Sequence, residues 1–247
     1  MREKKYVNKS RIKTTCKRLH VYCIHPPVLV TLVFLLVTFA ITGIISFIST
    51  IITSAIGFTS ALAADYETVA LGGMLAMMPV TMILSLISFA VTCVLQTGYL
   101  AYTLKTIRHQ ESGLDELFRY FKQFVKLFCL YFMVQLFTAL WSLLFVIPGI
   151  IASYRYRMAV YIYLDNPDKG IMDCIRESKE MMIGHKFELF VLDLSFILWI
   201  LLCAVTCGLA ALYVTPYATL TNSVYYDNLK YITAPQSVEP TAEFVEM

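Results

Sequence analysis

The sequence predicts an all-α fold, a polytopic transmembrane bundle of about six helices with short amphipathic helices on its cytoplasmic side. Three observations carry that expectation. Hydrophobic residues make up 58% of the 247 and charged residues only 15%, against roughly 45–50% and about 25% in soluble domains. Mean hydropathy is +0.68. Four long stretches, residues 19–64, 68–104, 127–154 and 194–226, contain no Asp, Glu, Lys or Arg. A helical crossing takes about 20 apolar residues, because the backbone must satisfy its own hydrogen bonds in lipid, so each stretch holds at least one crossing. This composition excludes a disordered chain, a secreted disulfide mini-domain and an ordinary soluble enzyme.

Residues 1–25 read as a basic cytoplasmic arm. Arg2, Lys4, Lys5, Lys9, Arg11, Lys13, Lys17 and Arg18 stand against one acid, Glu3. The next loop holds Asp65 and Glu67 without a base, and the following one is rich in Lys and Arg. The positive-inside rule therefore places the arm and the second loop in the cytoplasm and the acidic loop outside. A cleaved signal peptide ending near Ala61-Leu62-Ala63 is the competing reading, but its apolar run is about twice too long.

The transmembrane domain spans 26–232. Both flanks of the third stretch are basic, Lys126 before it and Lys169, Arg176, Lys179 and Lys186 after it. An even number of crossings must lie between, and Pro148 and Gly149 are the expected hairpin turn. The fourth segment repeats the layout around Gly208. Trp141-Ser142-Leu143-Leu144 and Trp199-Ile200-Leu201-Leu202 precede these glycines at similar spacing, and Asp-Asn follows each, as in a duplicated hairpin. Four spans with a re-entrant third segment is the alternative to six.

Two cytoplasmic linkers have helical periodicity. In the first, Ser112 is the expected cap, Asp115 and Glu116 open the helix, and Lys122 and Lys126 close it. Leu114, Leu117, Phe118 and Phe121 share its apolar face. In the second, Asn166 caps, Pro167 takes the first position, and Ile171, Cys174, Ile175, Ser178 and Met182 form the face up to Gly184. Such faces lie on headgroups or against the bundle. Residues 233–247, with Glu239, Glu243 and Glu246, read as an acidic disordered tail.

Charges within spans are costly and are usually paired or functional. Arg157 lies eight residues before Asp165, and Asp193 seven after Lys186, which puts both about 10–12 Å inside their helix ends. Asp193 is therefore expected to pair with Arg157, or with Arg155 in another register; snorkelling of both to the headgroups is the plainer reading. Tyr154, Tyr156, Tyr161, Tyr163, Tyr213, Tyr217, Tyr225 and Tyr226 read first as an interfacial belt and second as the lining of a polar cavity. Thr215, Thr219, Thr221 and Asn222 give the last helix a polar face of the kind that joins transmembrane helices.

Seven dispersed cysteines suggest no disulfide framework. Cys16, His20, Cys23 and His25 cluster too tightly for a zinc site, and Cys203 with Cys207 read as packing residues. The sequence contains no phosphate-binding glycine loop, no His-Glu-x-x-His and no Gly-x-Ser-x-Gly, and His109 and His185 lack a triad partner. No metal, cofactor or catalytic residue is expected. The basic arm suits anionic lipid headgroups, at about 1 kcal/mol per cation, better than nucleic acid.

From Gly98 onward a dense set of motifs follows in fixed order: Leu140 to Leu144 running into Ile147-Pro148-Gly149-Ile150-Ile151, then Tyr154 to Met158, Asp165-Asn166-Pro167, Ser178, Met181-Met182 and Gly184-His185-Lys186. Leu194-Ser195-Phe196, Trp199 and Pro216-Tyr217 complete it. In these pieces the chain resembles a bacterial family of multi-pass membrane proteins called domain of unknown function nine-seven-five. Leu198 stands where the pattern expects glycine, so helix packing there departs from the family's. The resemblance implies a helical bundle in the bacterial inner membrane and carries no biochemical activity. The expected role is a non-enzymatic scaffold, assembly or envelope-homeostasis factor whose partners are lipids and another membrane protein. The alternative is a small transporter with a cavity around Arg155, Arg157 and Asp193.

Overall fold

The computed structural model describes residues 26–61, 66–108, 110, 113–206 and 208–233. The basic arm with Cys16, His20, Cys23 and His25, the cap Ser112, and the acidic tail lie outside the described residues. Among those described, every regular element is helical.

Helix α1 (Pro26–Ala61) begins on two prolines, which the first turn tolerates because its N–H groups have no intrahelical acceptor. It runs antiparallel to α2 (Tyr66–Ile107), which carries Pro79 inside it. Thr42, Thr50 and Thr53 donate to carbonyls four residues earlier in α1. A hydroxyl facing lipid has few other partners. α2 is the central element, touching α1 and several of the later helices.

The first linker, expected to be cytoplasmic, is not one amphipathic helix. It holds a single turn, α3 (Glu116–Arg119), then a 3-10 turn (Tyr120–Gln123), and α4 (Phe124–Leu144) has already begun before Lys126. Gln123, at φ −107° and ψ 22°, breaks the helical run. Of the expected apolar face only Leu117 is buried; Leu114, Phe118 and Phe121 are exposed. Gly98 explains how close this linker comes to α2, since a Cβ there would lie 2.5 Å from the Leu117 carbonyl oxygen.

The hairpin after α4 turns at Phe145, whose backbone is extended, and not at Pro148 and Gly149. α5 (Val146–Tyr156) starts directly after it, so Pro148 sits in the first turn, where it is tolerated. Gly149 serves close approach instead: its Cβ would lie 2.1 Å from Ser142 Oγ and 2.7 Å from Ser142 Cα on α4. The chain breaks at Arg157–Met158 and resumes as α6 (Ala159–Asp165).

The second linker helix, α7 (Ile171–Met181), is capped by Gly170 and not by Asn166. The Asn166 carbonyl accepts from Lys169 N at 3.1 Å, a β-turn with Pro167 in the position proline favours, so the helix starts after it. Its face of Cys174, Ile175, Ser178 and Met181 is buried against the bundle, and Gly184 follows at φ 85°. α8 (Lys186–Leu194) breaks at Ser195–Phe196 into α9 (Ile197–Val205). A turn through Gly208 at φ 88° leads to α10 (Ala211–Thr233).

Four segments are long and apolar enough to cross a membrane: Val28–Ala55, Met78–Ile107, Glu116–Leu144 and Lys186–Val205. Six crossings would also need α5–α6, cut into pieces of 11 and 7 residues, and the more polar α10. The core gathers at one end of the bundle, around Tyr102, Leu127, Met158, Ile162, Met182 and Leu229. The other end turns Phe39, Phe47, Leu143, Ile147, Leu198 and Leu209 outward. Apolar patches of that extent on a single chain mark contact with lipid or another protein.

Candidate functional site

Two charged residues occupy the two helix breaks. Arg157 lies in the break between α5 and α6, and Asp193 one residue before the end of α8. Arg157 Nη1 donates to Asp193 Oδ2. Tyr154, one turn before Arg157, places its ring 5.9 Å from the guanidinium carbon. Arg155 takes a different part: its backbone carbonyl accepts from Ser178 Oγ at 2.9 Å and ties α5 to α7.

The pair borders a cavity of about 420 Å³ between α5, α8, α9 and α10. Phe190, Leu194, Phe196, Ile197 and Val214 supply apolar walls, and Asn222 of α10 also belongs to the lining. The Asn222 Oδ1 atom is buried and has no hydrogen-bond partner among the described residues. A buried acceptor without a donor is rare and unfavourable; being fully buried, Oδ1 does not open onto the cavity.

A second constellation was not legible in the sequence. Arg108, just past the end of α2, donates from Nη1 to Asp165 Oδ1 at 2.7 Å and from Nη2 to Asp227 Oδ1 at 2.7 Å. Asp165 also accepts from Tyr226 at 2.8 Å and from Lys230. Burial works against its charged form, but the hydrogen bonds from Arg108, Lys230 and Tyr226 outweigh it and hold the Asp165 carboxyl below its ordinary value. Burial likewise disfavours the Arg108 charge, and Asp165 and Asp227 more than restore it. Glu116 similarly receives Lys105 at 2.6 Å and Arg119 at 3.2 Å. The basic residues were visible beforehand as a topology signal and Asp165 and Asp227 as repeat landmarks, but not their pairing, which for Arg108 spans 57 and 119 residues.

The tyrosines do not form a belt. Tyr156, Tyr161, Tyr163, Tyr225 and Tyr226 are buried, and of the eight only Tyr213 is largely exposed. Their hydroxyls find partners inside the protein: Tyr163 donates to Gln123 Oε1 at 2.8 Å and Tyr225 to the His185 carbonyl at 3.1 Å. Thr103 meets Ser223 at 3.0 Å, and Thr31 meets Tyr99 at 2.9 Å. These contacts join α1, α2 and α10 by side-chain hydrogen bonds, as small hydroxyl residues do between membrane helices. Tyr99 and Thr31 carried no signal in the sequence, since a lone hydroxyl in an apolar run has no periodic partner.

Among the described residues no group of three or more His, Cys, Asp or Glu side chains is placed to hold a metal ion. His185 faces its own helix neighbour Glu188, Nδ1 to Oε2 at 3.1 Å. Cys203 is a half-buried free thiol, and Cys207 lies outside the described residues.

A search of curated proteins and a search of solved structures returned no match. The profile of one family matches residues 1–152 and 142–232, so the likeness reaches well ahead of Gly98, where the recognisable motifs begin. By that match, which covers more than half of its length, the chain belongs to the family described as Protein of unknown function (DUF975).

Proposed function

We propose that this chain is a six-crossing integral protein of the bacterial plasma membrane, with both ends in the cytoplasm. It acts without covalent chemistry, as a scaffold, assembly or envelope-homeostasis factor. The observation that carries the topology is Arg108 bonded to both Asp165 and Asp227. The ends of α2, α6 and α10 then share one side of the bilayer, so an even number of crossings separates each from the next. α4 goes out and α5–α6 return; α8–α9 go out and α10 returns. The basic arm faces the anionic inner leaflet. The scaffold role draws its support from the broad apolar surface at the far end of the bundle, open to a neighbouring membrane protein.

Short epitopes inserted after Phe145 and after Thr206 test the topology. They are expected to react with antibody on intact spheroplasts, while epitopes after Gly113 and Asp168 react only after permeabilisation. Reaction of the Asp168 epitope from outside overturns six crossings. For the role, affinity purification from native membranes in mild detergent is expected to bring down a stoichiometric membrane protein. Recovery of the chain alone overturns the scaffold.

One observation favours a second reading, a small transporter. Discontinuous helices that place charges at their breaks beside a cavity are the device by which transporters build binding sites within the bilayer, and Arg157 and Asp193 stand in that arrangement.

A further inference from the structure

The broken linker ahead of α4 arranges its side chains in two rows. A 3-10 turn has three residues per turn, so residues three apart eclipse; in an α-helix residues four apart share a face. Phe118, Phe121 and Phe124 follow the first spacing through the turn at Tyr120–Gln123, and Phe128, Phe132 and Leu136 carry the row up α4 at the second. Ring centroids along it lie 6.1 Å apart for Phe118–Phe121, 6.3 Å for Phe124–Phe128 and 6.0 Å for Phe128–Phe132. Except for the partly buried Phe128, every member of the row is exposed. A continuous α-helix would turn Phe124 about 120° away from Phe118, so the 3-10 turn is what keeps the row together.

The second row is cationic. Arg119 and Lys122 stand three apart and Lys126 four further on, and all three are exposed. Residues 113–126 contain two acids, Asp115 and Glu116. Asp115 is exposed; Glu116 turns inward, its side chain 10% exposed, and accepts from Lys105 of α2 and from Arg119. Lys122 and Lys126 make no ion pair among the described residues. The linker therefore shows its surroundings unspent positive charge beside aromatic rings, and the aromatic row runs on into a segment apolar enough to cross a membrane, Glu116–Leu144. Rings at the head of a span, with free cations at the same level, match the boundary between acyl chains and anionic head groups. A soluble acidic partner would satisfy the cations and leave Phe132 and Leu136 uncovered; a lipid covers both.

We propose that this linker is a binding site for an anionic phospholipid. The phosphate lies between the Lys122 and Lys126 ammoniums, and one acyl chain follows Phe124, Phe128 and Phe132 along α4. The inference needs only that α4 crosses the bilayer, and it stands apart from the scaffold role and from the count of crossings.

The test reads the lipid at this place alone. Full-length protein carrying Phe121→Trp is reconstituted in vesicles of dioleoyl phosphatidylcholine with rising shares of phosphatidylglycerol brominated on its upper acyl chains, and in parallel with brominated phosphatidylcholine. Bromine quenches at short range, so the fluorescence that the variant has beyond wild type, whose own tryptophans are Trp141 and Trp199, reports the neighbours of position 121. The anionic lipid is expected to be preferred about fivefold, the factor that one lysine near an anionic surface supplies. Lys122→Gln with Lys126→Gln is expected to bring the preference close to unity, and Lys122→Arg with Lys126→Arg to keep it. Phe118→Trp, from the same row, takes the place of Phe121→Trp where that variant does not fold. A preference near unity before the lysines are changed overturns the proposal. So does a preference undiminished by the two glutamines, which belongs to the basic arm. Quenching by neither lipid puts the row against another protein or water and overturns it as well. Both leaflets of the vesicle carry the same lipids, so the sidedness that the epitope map decides does not enter, and the two readings fail separately.

Discussion

The Arg108 guanidinium lies against the Asp165 carboxylate in a fork, Nη1 to Oδ1 at 2.7 Å and Nη2 to Oδ2 at 3.3 Å. The Asp165 side chain is 6% exposed and that of Arg108 25%. Removing the cation leaves a buried carboxylate with less compensation, which is the costly direction for such a pair. Arg108→Gln is expected to lower stability by about 2–4 kcal/mol, below the figure for a fully buried pair because Arg108 keeps contact with solvent. Arg108→Lys keeps the charge but not the fork and falls between. Thermal unfolding in detergent ranks the three.

The same carboxylate sets an acid limit. Because the folded Asp165 titrates below its ordinary 3.8, its contribution is fully present above that value and is lost as pH falls through the lower, folded one. Wild-type protein is expected to lose thermal stability below pH 3.8 more steeply than Asp165→Asn, which begins less stable at neutral pH and has no such group to protonate. Parallel curves for the two proteins contradict this.

Gly98 faces backbone, and backbone cannot yield as a side-chain tip can. A methyl group there meets the Leu117 and Glu116 carbonyl oxygens at 2.5 and 2.8 Å. Gly98→Ala is expected to destabilise by about 1–3 kcal/mol or more through overpacking, and to raise proteolysis around Leu117. Gly43→Ala, where a Cβ meets nothing within 4 Å, is the control and is expected to be neutral or mildly stabilising.

How far the sequence announced this fold depends on which residues are asked. The uncharged runs gave the helical class and the existence of α1 and α2 because burial in lipid is a property of one segment at a time. The Arg157–Asp193 contact was legible because both residues are rare charges at matched depth, and depth follows from counting along a helix. Arg155 could not be set aside the same way: two residues from Arg157 along the chain, it differs mainly in direction, which the break at 157–158 decides. Asn166 and Pro167 carried a true start signal that a competing β-turn used instead. The Arg108 cluster and the Thr31–Tyr99 contact depend on helices meeting across 57 to 119 residues of chain, and a single sequence has no term for that.

Charge reversal addresses the site directly. Arg157→Asp alone and Asp193→Arg alone are each expected to reduce the yield of folded protein in detergent, and the two together to restore much of it. A double variant no better than the worse single one shows that the two side chains act separately.

The buried hydroxyls invite a smaller measurement. In a double-mutant cycle on Thr103→Val and Ser223→Ala, which meet at 3.0 Å, the coupling is expected near 0.6 kcal/mol, the average for hydrogen bonds between membrane helices. A coupling of zero means that Thr103 is satisfied by the Leu100 carbonyl alone.

Arg108 also has a history within the life of each molecule. With six crossings, it is already at the inner surface when the first two helices enter the bilayer, while Asp165 and Asp227 have yet to be synthesised or docked. At that moment it is a bare cation, and it biases the orientation of the nascent hairpin. After assembly Arg108 and Lys230 face Asp165 and Asp227, two against two, and the finished surface there is electrically quiet. On the proposed six-crossing topology one guanidinium thus serves insertion first and cohesion afterwards, and a lysine in its place retains the earlier task while weakening the later one.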